Sequence, residues 1–103
     1  TADLTGEAQR IMDRIALTAM SPDSSITVTG HTDDVPISNG QFRDNWDLGA
    51  GRAASVVQAI QNTGLISGDR LSAVSKGEMA PVADNNTAAG REQNRRIEIE
   101  ISY

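Results

Sequence analysis

A chain of 103 residues with 38% hydrophobic content builds one domain around one core, and with a single Phe, Trp and Tyr that core must be aliphatic. The net charge of −5 argues against nucleic acid, whose binding rests on cations against phosphate, and three aromatics leave base stacking poorly supplied. The absence of cysteine excludes disulfides and thiolate metal sites, and no apolar run approaches the roughly 20 residues of a membrane span.

Residues 4–20 are predicted as a helix. Leu4, Ala8, Ile11, Met12, Ile15 and Ala19 recur on one stripe, Thr5 or Asp3 supplies a cap, and Ser21, Pro22 and Asp23 end it. Residues 26–29 are strand-like, with Ile26 and Val28 on one face, and residues 30–44 form a loop. A second helix spans residues 47–62 with Trp46, Ala50, Ala53, Val57 and Ile60 on its apolar face, and Thr63-Gly64 stops it. Residues 70–75 form a second short strand. Residues 77–94 form a long loop with a turn of helix at 87–93. In the last strand Ile97, Ile99, Ile101 and Tyr103 alternate with Glu98, Glu100 and Ser102, the pattern of an antiparallel or edge strand with one wet face. Strand, helix, strand from residue 26 to 75 implies a parallel right-handed crossover, and the last strand joins the same sheet. The expected fold is α/β, a two-layer α/β sandwich whose mixed sheet carries two main helices on one face.

Chemistry-bearing residues concentrate where the first strand ends and the second helix begins. Asp33 and Asp34 are either turn formers or acceptors for an ammonium group or a metal. Asn45 suits a helix N-cap, and Arg52, seven residues on, falls on nearly the same face. Gly49, between them, leaves room for a ligand atom or for close helix–sheet packing. Arg95 shares strand parity with Ile97 and should point toward the helices, whereas Arg96 shares parity with Glu98 and should be solvated. An inward Arg95 needs an anion, either Asp33 or a ligand carboxylate. His31 is the only histidine, so no His–His metal site exists. No catalytic triad and no phosphate-binding glycine pattern is present, and neither a cofactor nor a resident metal is called for.

Gly-His-Thr-Asp at 30–33, Asn45 with Leu48 and Arg52-Ala53, Gly77 with Pro81 and Asn85, Gly90-Arg91 and Asn94-Arg95-Arg96 together resemble the OmpA-like peptidoglycan-binding domain. The likeness covers nearly the whole chain and is weakest before Ser25. Asp33-Asp34-Val35-Pro36-Ile37 followed by Phe42 and Asn45-Trp46 is similar, within that superfamily, to the B subunit of the flagellar motor stator, the MotB and PomB family. The resemblance implies one domain over residues 1–103, a periplasmic module of a single-span inner-membrane protein. The membrane helix and part of the first strand, whose tail Thr1-Ala2-Asp3-Leu4 resembles, would be missing. It implies non-catalytic binding of the peptidoglycan stem peptide, with Asp33 and Arg52 gripping the diaminopimelate head, Arg95 contributing, and Thr32, Asn45 and Asn94 completing the ligand-binding set. It further implies a stator A subunit as partner through the missing N-terminal part, and a homodimer. The family often has Ser where this chain has Gly49, at the cost of one hydrogen bond. The alternative is the peptidoglycan anchor of another OmpA-like outer-membrane protein or lipoprotein, against which the Val35-Pro36-Ile37 insertion and Trp46 speak. A hydrolase using Asp33 and Glu78 is the most distant reading.

Overall fold

The computed structural model describes residues 6–18 and 24–103. In chain order these form α1 (Gly6–Thr18), β1 (Ser25–His31), α2 (Asn45–Gln61), a single 3-10 turn (Gly68–Arg70), β2 (Leu71–Gly77), α3 (Ala88–Asn94) and β3 (Ile97–Ser102). The sheet has the order β2-β1-β3, with β1 parallel to β2 and antiparallel to β3. The α/β sandwich with a mixed sheet is therefore as expected, and the predicted turn of helix at 87–93 is α3.

Central strand β1 alternates as its sequence requires. Ile26 (1% exposed) and Val28 (0%) turn into the core against Ala53, Val56, Ala59 and Ile60 of α2 and Met12 and Ala16 of α1. Each such fully buried aliphatic side chain stabilises by roughly 1.5–3 kcal/mol. Along β3 the half-buried Ile97, Ile99 and Ile101 pack against the same core while Glu98 and Glu100 stay exposed.

Two helical faces are rotated from their predicted positions. On α1, Met12 and Ala16 are buried with Ile15 beside them, but Ile11 is half-exposed because the helix meets α2 along a narrow line, aided by a Gln9 Nε2 bond to the Ala59 carbonyl at 3.2 Å. The predicted Leu4 and Ala19, the Thr5 or Asp3 cap and the terminator at residues 21–23 lie outside the described residues. On α2 the buried residues are Asn45, Gly49, Ala53, Val56, Ala59 and Ile60: Ala53 and Ile60 are as predicted, Asn45, Gly49 and Val56 replace Trp46, Ala50 and Val57, and Trp46 and Ala50 face outward. The N-cap is also one residue earlier than predicted: Asp44 accepts the Asp47 amide at 2.9 Å, which frees the Asn45 side chain for the site.

Glycines explain the rotation. A Cβ on Gly49 would run into the Ser75 hydroxyl and stand 2.9 Å from the Gly30 carbonyl oxygen, and a Cβ on Gly30 would collide with the Gly49 carbonyl. The helix thus lies directly on the backbone of β1, and close packing, not ligand space, is the role of Gly49. Ser75 Oγ occupies the gap, donating to the Trp46 carbonyl at 2.7 Å and accepting from the Gly77 amide at 3.2 Å. The register of β1 and β2 shifts between Gly30 and His31, opposite Gly77 at φ +51°, next to where the site forms.

Candidate functional site

The end of β1 leads into a tight acidic turn. The Thr32 amide donates to the Gly77 carbonyl at 2.8 Å, and its buried hydroxyl donates to the Asp33 carbonyl at 2.8 Å. Asp33 Oδ1 accepts the Val35 amide at 3.0 Å, an Asx turn, while Oδ2 accepts Arg95 Nη1 at 2.7 Å. The turn-forming reading of this aspartate holds, and because a carboxylate offers about four lone pairs, lone pairs remain on both oxygens beside these two partners. Asp34 is exposed.

Asn45 sits in the first turn of α2, 5% exposed, with Nδ2 shared among the carbonyls of Val35 (3.1 Å) and Asp33 (3.3 Å) and Glu78 Oε1 (3.5 Å). It clamps the turn against β2's exit. Two turns along α2, Arg52 Nη1 reaches the His31 carbonyl at 3.5 Å. Burial chiefly, and then the neighbouring Arg95, hold the Arg52 pKa below its usual value, while Asp33 opposes this. Two guanidiniums and one carboxylate therefore share a field at the end of β1.

Asp33, Asn45 and Arg95 border a cleft of about 320 Å³, whose lining does not include Arg52. Asp33, Asn45, Arg91 and Arg95 supply its polar edge, and Val35, Pro36, Ile37 and Leu48 an apolar wall. Such a cleft, apolar with a few convergent charges, suits a small ligand bearing both charges. Among the described residues no group of three or more His, Cys, Asp or Glu side chains is placed to hold a metal ion.

The arginine pair departs from strand parity. Arg95 is the C-cap of α3 at φ −78°, ψ 80°, and the strand starts only at Ile97, so alternation does not reach back to it. Its side chain is 43% exposed and turns to Asp33, one of its two expected partners. Arg96, expected in solvent, is the more enclosed at 19%, bonded to Glu98 Oε2 (3.0 Å) and to the carbonyls of Ala80 (2.9 Å) and Asn94 (3.4 Å). Arg96 first, then His31, keep the Glu98 carboxyl below the usual carboxylate range. His31 Nε2 lies 2.9 Å from Glu98 Oε1, and its Nδ1 is buried with no partner among the described residues.

A model of the OmpA family matches residues 1–95. The chain belongs to that family. It is 39% identical over 85 residues to motility protein B of Bacillus subtilis, covering 82% of this chain and 33% of that protein. It is 45% identical over 80 residues to outer membrane porin F of Pseudomonas aeruginosa (78% and 22%), and 33% over 102 residues to the peptidoglycan-binding protein ArfA of Mycobacterium tuberculosis (98% and 30%). The chain thus spans a third or less of each of these three relatives. In three dimensions it is similar to the C-terminal domain of Helicobacter pylori MotB, with a TM-score of 0.89 at 28% identity over 100% of this chain and 79% of that one. The peptidoglycan-associated lipoprotein of Burkholderia pseudomallei is also similar, with a TM-score of 0.83 at 28% identity over 99% and 83%.

Of the site residues expected from the resemblance, this OmpA-family domain brings Asp33, Asn45 and Arg95 to the cleft, with Arg52 in their field behind the His31 carbonyl. Thr32, 3% exposed, holds the turn from inside. Asn94, 0% exposed, does not face a ligand: its Oδ1 accepts the amides of Val82 (2.8 Å) and Ala83 (2.9 Å), and its Nδ2 donates to the Ala83 carbonyl (3.0 Å) and Asn85 Oδ1 (2.7 Å). All its hydrogen-bonding capacity fastens the loop before α3. Arg91 is the cleft residue that the sequence reading missed. Arg91 stood on the predicted helical turn at 87–93, but Arg95 was read by strand parity, so no pattern in the sequence set the two on one face.

Proposed function

We propose that this domain holds the stem peptide of peptidoglycan without cutting it, taking the free amino-acid head of diaminopimelate at the end of β1. The observation that carries this reading is the Asp33–Arg95 ion pair at 2.7 Å beside Arg52, at the edge of an apolar-walled cleft. A zwitterionic head exchanges one internal ion pair for two external ones. Its ammonium meets Asp33 and its carboxylate meets the arginines, which grip carboxylates through paired N–H donors. Nothing in this exchange needs a nucleophile or a general base, so the reading is of a binding module. The name of ArfA, a peptidoglycan-binding protein, supports the choice of ligand.

In the complete protein, on this proposal, the domain is periplasmic and ties a flagellar stator to the wall, with a stator A subunit as membrane partner and a second copy of the B subunit beside it. The likeness to motility protein B and to the MotB domain favours this. The 45% identity to porin F favours a second reading, an anchor for an outer-membrane protein. The segment preceding this domain separates them, since a stator subunit requires one apolar span bearing an acidic residue and an outer-membrane anchor a β-barrel or a lipid-attached cysteine.

Titration of the domain with a diaminopimelate stem peptide tests the site. Asp33→Ala and Arg52→Ala should each lose about 1.5–3 kcal/mol of binding with the fold retained. Unchanged affinity in both variants sinks the assignment. Purified sacculi should co-sediment with the protein and release no soluble fragments, whereas release of fragments would mean a hydrolase.

A further inference from the structure

Arg91 differs from the other arginines around the cleft. It is half-buried on α3 and lines the cleft, and its Nη1 donates to the neutral Asn85 carbonyl at 2.9 Å. Among the described residues it joins no ion pair, whereas Arg95 meets Asp33 and Arg96 meets Glu98. The Asn85 carbonyl is itself well placed, because Asn94 Nδ2 holds the Asn85 side chain at 2.7 Å. Arg91 is thus a positioned guanidinium, held through one donor on a neutral carbonyl and joined to no carboxylate among the described residues, in a cleft with an apolar wall.

Charge matching across the cleft leaves a remainder. Of the charged side chains that line the cleft, Asp33 is balanced by Arg95 and Arg91 is left over, while Arg52 and the Glu78 carboxylate on Asn45 lie outside the lining. A single zwitterionic head brings one ammonium and one carboxylate and leaves the local excess of cations unchanged. Only a ligand with a further anion removes it. We infer that Arg91 reads a second carboxylate of the same ligand, outside the head, so that the cleft selects stem peptides with free carboxylates over amidated ones. This rests on the proposed function above. The selectivity follows from the donor inventory. Guanidinium has N–H donors and no acceptor, so an amide facing it keeps a weak carbonyl contact, loses the charge and sets its own N–H groups against other donors.

The test compares two synthetic tripeptides, Ala-γ-Glu-diaminopimelate and the same peptide with both carboxylates outside the free head converted to amides. Wild-type domain should bind the amidated form about tenfold more weakly, one charge-assisted contact expressed as affinity. Arg91→Gln should bind the free peptide about as weakly and no longer distinguish the two, and Arg91→Lys should recover part of the difference. Equal affinity of the wild type for both peptides overturns the inference and leaves the stem-peptide reading standing, as does an unchanged discrimination ratio in Arg91→Gln. Amidating the head carboxylate instead should abolish binding in every variant. Binding that survives this change, or failure of the wild type to bind either peptide, overturns the underlying reading and the inference with it.

Discussion

Asn94 and Arg96 do the structural work near the cleft, whereas Arg95 lines it and is the arginine proposed to meet the ligand. Arg96 donates to the Ala80 and Asn94 carbonyls and to Glu98, so its removal leaves partly buried acceptors unmatched. Arg96→Ala should therefore destabilise by about 1–3 kcal/mol. Arg95 is more exposed, and its pairing with Asp33 contributes little to folding, so Arg95→Ala should change stability by less than about 1 kcal/mol while weakening ligand binding. Urea unfolding of both variants, combined with peptide titration, checks the order. The reverse order in stability would mean that Arg95 is the buried partner. Parity misassigned these two side chains because the helix C-cap at Arg95 intervenes, and a cap conformation does not appear in an alternation pattern. Asp33 was easier to read, since its turn role is local; its pairing with Arg95 spans 62 residues.

At the scale of elements, the site depends on how closely α2 approaches β1. Alanine at position 49 would gain roughly 1 kcal/mol of helix propensity over glycine. Its Cβ would also press on the Gly30 carbonyl at 2.9 Å, in the backbone of the central strand, and on the Ser75 hydroxyl, held by its bond to the Trp46 carbonyl. Overpacking of this kind costs about 1–3 kcal/mol, so Gly49→Ala should be destabilising on balance. Gly51→Ala provides the control. Its Cβ would meet only the ring edge of half-buried Phe42, at 2.8 Å, and a ring can turn aside. Chemical denaturation should rank Gly51→Ala above Gly49→Ala in stability; equal values would show that the helix has slack over the strand. The existence of α2 was legible from its apolar spacing and from Thr63-Gly64, with Gly64 at φ +74° beyond its end. Its rotation was not, because hydrophobicity ranks Trp46 and Ala50 above Asn45 and Gly49, and the sheet selected the small and the hydrogen-bonding residues instead.

For the whole molecule, the surface is acidic and its large exposed apolar side chains, Ile11, Trp46, Met79 and Tyr103 among them, are spread over different elements. The outward face of β3 carries Glu98 and Glu100, and like charges along an edge discourage pairing with a second sheet. If two copies act together in the complete protein, this domain contributes weakly. Sedimentation equilibrium should find monomer at micromolar concentration, with dimer growing only as concentration rises. A strict monomer throughout would assign pairing to other parts of the complete protein and leave the wall-binding proposal untouched.

Local order along the chain was enough to determine the elements and their class. The alternation of residues 97–102, the β-branched run at 26–29 and the apolar helical spacings each report on which side of one element is dry, and the grouped motifs from Gly30 to Arg96 carried the family. The tertiary structure alone decided that Arg96 is enclosed and bonded, that Asn94 binds a loop and not a ligand, that Gly49 serves packing, and that Arg91 lines the cleft. Each of these depends on distance between residues far apart in sequence, where a single helix rotation or an early strand start exchanges a solvent-facing side chain for a buried one. Periodicity records the burial of an element's face. It carries no information on which distant backbone lies opposite that face, and the chemistry of this cleft is set there.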